Sequence, residues 1–571
     1  METSIRPEVL IAGAGPFGLM LACELGRRGI DCLLIDTRTR VADAAQANAT
    51  QARTMEHFRR LGLAEEIRAQ GLPPDHPTDI GYFTRFAGLE LARLALPTAR
   101  EARENVKRLG GSWSAAELPH RISQRHVEAV LLRHVQSLPS VRLRLGWRLD
   151  DFANERTDFV SVTIAPAGCA RPGAPGDGAG SAESALQVRC RFLVGADGAR
   201  SRVRGLLGVR HQGTTGMRRD FMGGRMFAVH LRAPDLPASM TQPRCWMRVA
   251  VNAERRGFMC ALDGIDEFVF HAALQPQEES AAERWTASDA QRIFDQALGR
   301  HLPIEVLSLG TWTAGHSLVA SRFREGRIFL GGDAAHLFTP TGGLGYNTAV
   351  EDAVNLGWKM AMVLRGTAPA ALLDSYEVER KPLAERNTAY ARRFADSIGN
   401  FKAAAQLEDD TPAGAAEREA AGRYLDNHAR MEFSIPGVTF GGRYDGSPLI
   451  VKDHTHPPPD DANVYVPCAS PGGRPPHYWL DDNRSLYDSF NFEWTLLVLG
   501  TDPPDPAAFL QHARQLKLDL KLVEHGQQAL LDLYEAPLVL VRPDQIVTWR
   551  GSSAAAARQV LAQATGWSGA N

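Results

Sequence analysis

Three short runs of residues carry the chemistry of this 571-residue chain. Near its start, VLIAGAGPFG places Gly13, Gly15 and Gly18 between an apolar run and a helical one. Val9 to Ala12 suit a buried parallel strand. Gly13 permits the tight turn that follows. Gly15, flanked by Ala14, Pro16 and Phe17, lets the backbone approach a pyrophosphate, and Gly18 lets the next helix pack on the strand. That helix, expected over residues 17–29, turns free N–H groups and a positive dipole end toward an anion. A second apolar strand, residues 32–35, ends in Asp36, 18 residues beyond Gly18, followed by Thr37 and Arg38. Its carboxylate can take a ribose hydroxyl pair. The pattern binds a dinucleotide, but this run does not choose between a flavin and a nicotinamide one.

The second run is GADGARSRVR, with Asp197 and Gly198. The third is GGDAAHLFTPTGGLGYN, with Asp333, Pro340, Gly342, Gly343, Leu344, Gly345, Tyr346 and Asn347. Ile328 to Leu330 form an apolar strand leading to Asp333, which can accept a hydrogen bond from a ligand hydroxyl. Residues 340–343 form a loop that opens a long helix, whose apolar residues Ala349, Val350, Ala353, Leu356, Met360 and Val363 repeat at helical spacing. The start of that helix would stabilise negative charge on a bound ligand. The two runs resemble the DG and GD motifs of the single-component, class A flavin aromatic hydroxylases of the para-hydroxybenzoate hydroxylase type. The resemblance covers residues 5–400, and residues 440–551 are similar to the C-terminal domain of the phenol hydroxylase branch.

The resemblance implies an α/β fold: a Rossmann-like FAD-binding domain of the glutathione reductase type, an inserted α+β substrate domain and a thioredoxin-like C-terminal domain. The pieces are 1–75, 105–215 and 315–400 for FAD, 76–104 and 216–314 for substrate, a connecting helical segment 401–440, and 441–571 for the tail. Residues 227–231 and 257–262 read as strands over the flavin, and 495–499 and 538–541 as strands of the tail. The tail holds Cys468 without a partner cysteine, so dithiol exchange is not expected of it. Residues 166–187, rich in Pro, Gly and Ala, read as a mobile hairpin excursion, and 405–430 as a surface helical stretch.

The implied activity is hydroxylation of a phenolic ring through a flavin C4a-hydroperoxide, with non-covalent FAD, NADPH or NADH as reductant, O2 and a small aromatic substrate. Arg53, Gln124 and Arg125 match positions that meet the cofactor, while Gln46 replaces the family arginine that contacts it. Glu128 reads as a cap or salt-bridge partner. Asn48 stands where some phenol hydroxylases carry a histidine proposed to deprotonate the phenol, and an amide cannot take that proton. Either another base works here, with His120 and Glu117 the nearest, or the substrate already ionises easily. Pro340 matches a family proline whose carbonyl lies near the substrate hydroxyl, with Phe338 and Thr339 departing from the commoner double-proline form. Arg225 is the candidate pocket residue of the substrate domain, with Trp246 and Arg248 as further candidates. His336 is expected to orient the loop before Pro340. Arg200, Arg202 and Arg204 either attract nicotinamide phosphates or are solvated charges.

Composition narrows the class. Lys and Arg total 64 against 66 Asp and Glu, so a net charge of −2 gives no basic face for nucleic acid. Hydrophobic residues make up 44%, enough for substantial cores, yet no run reads as a membrane span or a leader. Seven scattered cysteines show no metal or redox spacing, which suits reduced thiols in the cytoplasm. No metal is expected, and a homodimer is the protein partnership considered. Two other readings are a Baeyer–Villiger-type oxygenation of a polycyclic or polyketide substrate and a non-catalytic flavin-binding protein.

Overall fold

A computed structural model describes residues 5–40, 48–154, 158–168, 185–217, 219 and 221–567. Gln46 and most of the 166–187 segment lie outside the described residues. The fold is mixed α/β. Its first sheet has six strands in the order Arg324–Glu325, Ile328–Leu330, Phe192–Gly195, Val9–Ala12, Cys32–Asp36 and Val141–Leu145. All neighbours are parallel except the Arg324–Glu325 edge. The four central strands are buried on both faces, which is why they read as unbroken apolar runs. The helices Pro16–Arg27 and Leu344–Leu364 pack together over this sheet.

A second sheet of seven strands runs Glu305–Ala314, Gly224–Arg232, Glu267–Ala273, Arg256–Ala261, Met247–Val251, Ile80–Phe83 and Glu90–Leu94. The expected strands at 227–231 and 257–262 lie within or across its second and fourth members. One face packs on the helix Ala287–Leu298 through Phe227, Phe270, Ile293 and Phe294. The other face looks toward the first sheet. The stretch expected to be a surface helix is only partly so. Pro412–Phe433 is helical, but Ala421, Leu425, His428, Ala429 and Glu432 are buried. Their spacing forms one helical stripe, which packs against the seven-stranded sheet and its neighbours.

The tail holds a four-stranded sheet, Leu520–His525, Trp494–Leu499, Leu538–Val541 and Val547–Gly551, in which only the first pair is parallel. It is joined to the body by buried charges. Arg474 Nη2 donates to Glu56 Oε1 at 2.5 Å. Arg542 donates to Glu379 at 2.8 and 2.6 Å, and Lys359 Nζ donates to the same carboxylate at 2.5 Å. Side chains of Lys359, Glu379 and Arg542 are all 0% exposed. Burial alone would raise the Glu379 carboxyl, but Arg542 and Lys359 outweigh it and hold it well below the usual carboxylate range.

Removing one member of such a set leaves buried charge uncompensated. Glu379→Gln should lower stability by about 3–5 kcal/mol at neutral pH, read from urea midpoints. A depressed carboxyl stabilises above its unfolded value of 4.5 and loses that contribution as pH falls below it. The gap between native protein and variant should therefore narrow on acidification below pH 4.5. A gap that stays constant through that range would refute the assignment.

Candidate active site

The carboxyl ends of the four central strands and the inner face of the seven-stranded sheet enclose one cavity of about 1030 Å³. At the first turn, Gly13 has φ +118°, and a Cβ there would sit 2.1 Å from the Ala196 carbonyl oxygen. A Cβ on Gly18 would sit 1.9 Å from the Gly13 carbonyl oxygen, so strand and helix meet without room for a side chain. Gly15 differs: a Cβ there meets nothing within 4 Å, and the residue borders the cavity. The helix Pro16–Arg27 begins beside it with no side-chain cap, leaving its first N–H groups for a ligand.

Asp36 accepts from the Ala14 N–H at 2.7 Å and from the Arg38 N–H at 2.7 Å. The Arg38 guanidinium folds back to Asp36 at 3.1 Å and reaches Glu128 at 3.4 Å. Gln124 Nε2 donates to Glu128 at 2.8 Å. Thr37, Arg38, Gln124 and Glu128 all line the cavity. At the second turn Asp197 borders the cavity too, but its carboxylate is taken by Ser201 Oγ and the N–H groups of Arg202 and Val203. Arg202 donates to the Asp150 carbonyl and Arg204 to the Ala334 and Ala199 carbonyls. Arg200 and Arg202 line the cavity, whereas Arg204 does not.

At the third turn Asp333 opens into the cavity, and burial raises its carboxyl while His336 opposes the rise. Pro340, Gly342, Gly343, Leu344, Gly345 and Tyr346 follow along the wall. The helix Leu344–Leu364 starts there with Gly343 at φ +64° and no side-chain cap. Asn347 does not line the cavity. It accepts from the Gln51 N–H at 2.9 Å and donates to the Ala49 and Gly343 carbonyls, tying two loops together. Gln51 Nε2 closes the same join on the Gly342 carbonyl at 2.8 Å. His336 is fully buried and pairs with Asp352 at 2.6 Å, which in turn accepts from Arg380.

The sheet side supplies an aromatic wall: Tyr82, Phe221, Trp246, Phe258 and Trp312. His271 also lines it, stacked on Phe258 with centroids 4.6 Å apart. Trp312 Nε1 donates to His271 Nδ1 at 3.0 Å, so the ring proton sits on Nε2. Burial takes His271 down to about 4. His428 bonds Ser397 through Nδ1 at 3.1 Å and Glu432 through Nε2 at 3.0 Å. Glu432 Oε1 accepts from the Gly342 N–H at 3.0 Å, linking the buried helix stripe to the third turn.

Several expected site residues stand elsewhere. His120 does not line the cavity. It packs under Gly71, and burial, with Arg68 and Arg121 nearby, lowers it to about 3, so it is a neutral core histidine. Glu117 is bound by Arg59 and Arg68. Arg53 turns away to Glu56, the Asp544 carbonyl and Gln545. Arg125 and Arg225 both stand outside the cavity wall, Arg125 paired with Glu267 at 2.6 Å and Arg225 with Glu283 and Thr311. Glu117, Arg53, Arg125 and Arg225 each meet a partner far away in sequence, and His120 is claimed by the core, neither of which a motif can display. Asn48 does line the cavity. Gln51, Arg121, His271, His428 and Glu432 were not singled out from sequence, and only the stripe containing His428 and Glu432 left a readable spacing.

Turns of this kind, two uncapped helix starts and acids at three of the four strand ends suit a protein that holds a dinucleotide. Residues 6–391 match the FAD binding domain family, and residues 469–571 match the aromatic-ring hydroxylase C-terminal family. The chain belongs to the class A flavin aromatic hydroxylases, and it is an FAD-dependent monooxygenase. It is similar to the FAD-dependent monooxygenase apdD of Emericella nidulans, 29% identical over 99% of this chain and 91% of that protein. Phenol 2-monooxygenase of a Pseudomonas species is 27% identical over 97% of this chain and 91% of its own. The solved ternary complex of aklavinone-11 hydroxylase with FAD and aklavinone superposes with a TM-score of 0.80 at 27% identity, covering 99% of this chain and 100% of that one.

Replacing Asp333 with Ala removes the acceptor at the third strand end. Flavin affinity should fall by about 1–3 kcal/mol, read as visible flavin absorbance per protein after gel filtration. Full retention would place the ribityl acceptor elsewhere.

Proposed function

We propose that this enzyme hydroxylates a phenolic ring on a polycyclic aromatic, with NADPH or NADH as reductant and O2 as oxidant. The observation that supports this best is the continuity of the cavity, from the three cofactor turns to the wall of Tyr82, Trp246, Phe258 and Trp312. A volume of about 1030 Å³ suits a large cofactor with a multi-ring guest. The names of phenol 2-monooxygenase and of the aklavinone complex point to phenols and fused rings as the chemical class.

Bound FAD would take a hydride and activate oxygen. The chain's own part is positioning and exclusion. In this reading Gly15 and the start of Pro16–Arg27 hold the pyrophosphate, Asp36 the ribose and Asp333 the ribityl chain. The uncapped start of Leu344–Leu364 sets N–H groups against negative charge on the ring. The apolar wall keeps water from the oxygen transfer. Asn48 and Pro340 border the space for the reacting hydroxyl. Asn48 cannot take a proton, and both nitrogens of His428 and the Nδ1 of His271 are engaged.

We assign 1–75, 105–215 and 315–400 to a Rossmann-like FAD domain of the glutathione reductase type. Residues 76–104 and 216–314 form the substrate domain, and 441–571 a thioredoxin-like domain without a redox pair. The parallel first sheet and the mixed tail sheet support this division. We place the enzyme in the cytoplasm, a reading supported by six cysteines that are all free among the described residues.

Phenols, naphthols and hydroxyanthraquinones should stimulate NAD(P)H consumption and yield hydroxylated products carrying one labelled atom from oxygen gas. Ring-expanded lactones, or no stimulation by any aromatic, would overturn the reading. His120→Gln should leave the pH profile of coupled turnover in place, because His120 stays neutral down to about 3 and lies outside the cavity. A displaced profile would restore it as a base.

A further inference from the structure

Among the described residues, Arg121 lines the cavity without a counter-charge. It ends the short strand His120–Arg121 and pairs with Ala49, the residue after Asn48. Arg121 is only 8% exposed, yet it borders the cavity. Its guanidinium carbon lies 4.0 Å from the centroid of Trp246. No described side chain or carbonyl accepts a hydrogen bond from that guanidinium, and no ion pair reaches it. Burial lowers it to about 10, so it remains charged at neutral pH.

The surroundings do not compensate it. Cys260, on the adjacent sheet, is held as a neutral thiol because burial raises its pKa. Glu432 is occupied by Gly342 and His428. Asp36 and Glu128 are engaged by Arg38, Asp197 by Ser201 and the N–H groups of Arg202 and Val203, and Asp333 stands at the third turn. A buried, unpaired guanidinium is costly, and stacking on an indole offsets only part of that cost. Its planar fork of donors matches the oxygens of a carboxylate, or a single oxyanion.

We propose that Arg121 is the anion-binding group of the ring subsite, and that the substrate is an aromatic bearing an anionic oxygen, as carboxylate or as phenolate. This rests on the aromatic-hydroxylase reading above. It also accounts for an enzyme with Asn48 at the ring: a phenol that arrives ionised needs no proton acceptor.

The test uses the FAD-loaded enzyme at neutral pH and follows flavin absorbance on titration with matched probes. One pair is 1-hydroxy-2-naphthoate against 1-hydroxy-2-naphthamide. The other is ionised 2,4-dinitro-1-naphthol against its methyl ether. The anion should bind about tenfold or more tightly than its neutral twin in at least one pair. The first pair reports a carboxylate and the second a phenolate. Arg121→Gln should abolish the preference while retaining flavin, and Arg121→Lys should keep part of it. Equal binding within both pairs overturns the role of Arg121 even when hydroxylated products form. Absence of binding and of product with all four probes overturns the aromatic reading with it. A preference that survives in Arg121→Gln assigns the anion to another group and overturns the proposal.

Discussion

The register of four parallel strands is the constraint on which the site depends. Ala12 pairs with Ile35 on one side and Gly195 on the other, and Gly195 pairs with Leu330. Chain segments some 320 residues apart in sequence therefore end at one edge of one sheet. That edge receives the turn at Gly13, the acid Asp36, the turn at Asp197 and the turn before Asp333. A ligand at the carboxyl ends of such strands meets helix starts and turn amides together. The strands can hold this register because they are apolar and buried on both faces.

The same edge would be half a site without the second sheet. Alternation along Met247–Val251 and Arg256–Ala261 puts Met247, Val249, Phe258 and Cys260 over the cavity and Ala250 and Met259 on the face that packs on the helix Ala287–Leu298. The helix Pro412–Phe433 closes the remaining side, and Glu432 meets the Gly342 amide directly. Polar groups on this wall are mostly consumed by one another, as in the His428–Glu432 and Trp312–His271 contacts. Beside that wall the unmatched guanidinium of Arg121 has strong influence.

The tail acts as a buttress behind the cavity. Glu56 and Arg53 lie on the helix Ala52–Leu61, which follows the Asn48 to Gln51 wall without a break. Asn355 and Lys359 lie on the helix whose start faces the cavity, and both join Glu379, Asp544 and Arg542 in one buried network. Trp358 and Trp494 meet edge to face at 5.7 Å across the same boundary. A lone Cys468 offers no dithiol chemistry, while these contacts give the domain a mechanical reason to be present.

The sequence by itself determined the three turns at the strand ends, because glycine spacing, strand hydrophobicity and strand-end acids are local properties. Gly13, Gly15, Asp36, Asp333 and the helix start at Leu344 were legible for that reason. The strands at 227–231, 257–262 and 538–541 were legible as short runs rich in apolar and β-prone residues. Only the tertiary structure decided which polar side chains remain free. Arg53, Arg125, Arg225 and His120 looked available in the sequence, yet distant partners or the core claim them: Gln545, Glu267, Glu283 and the packing beneath Gly71. Arg121 carried no motif and became conspicuous only once folding buried it against Trp246 with nothing to neutralise it. Long-range pairing of charge depends on the full fold, since each ion pair is settled by which surfaces packing brings within a few ångströms.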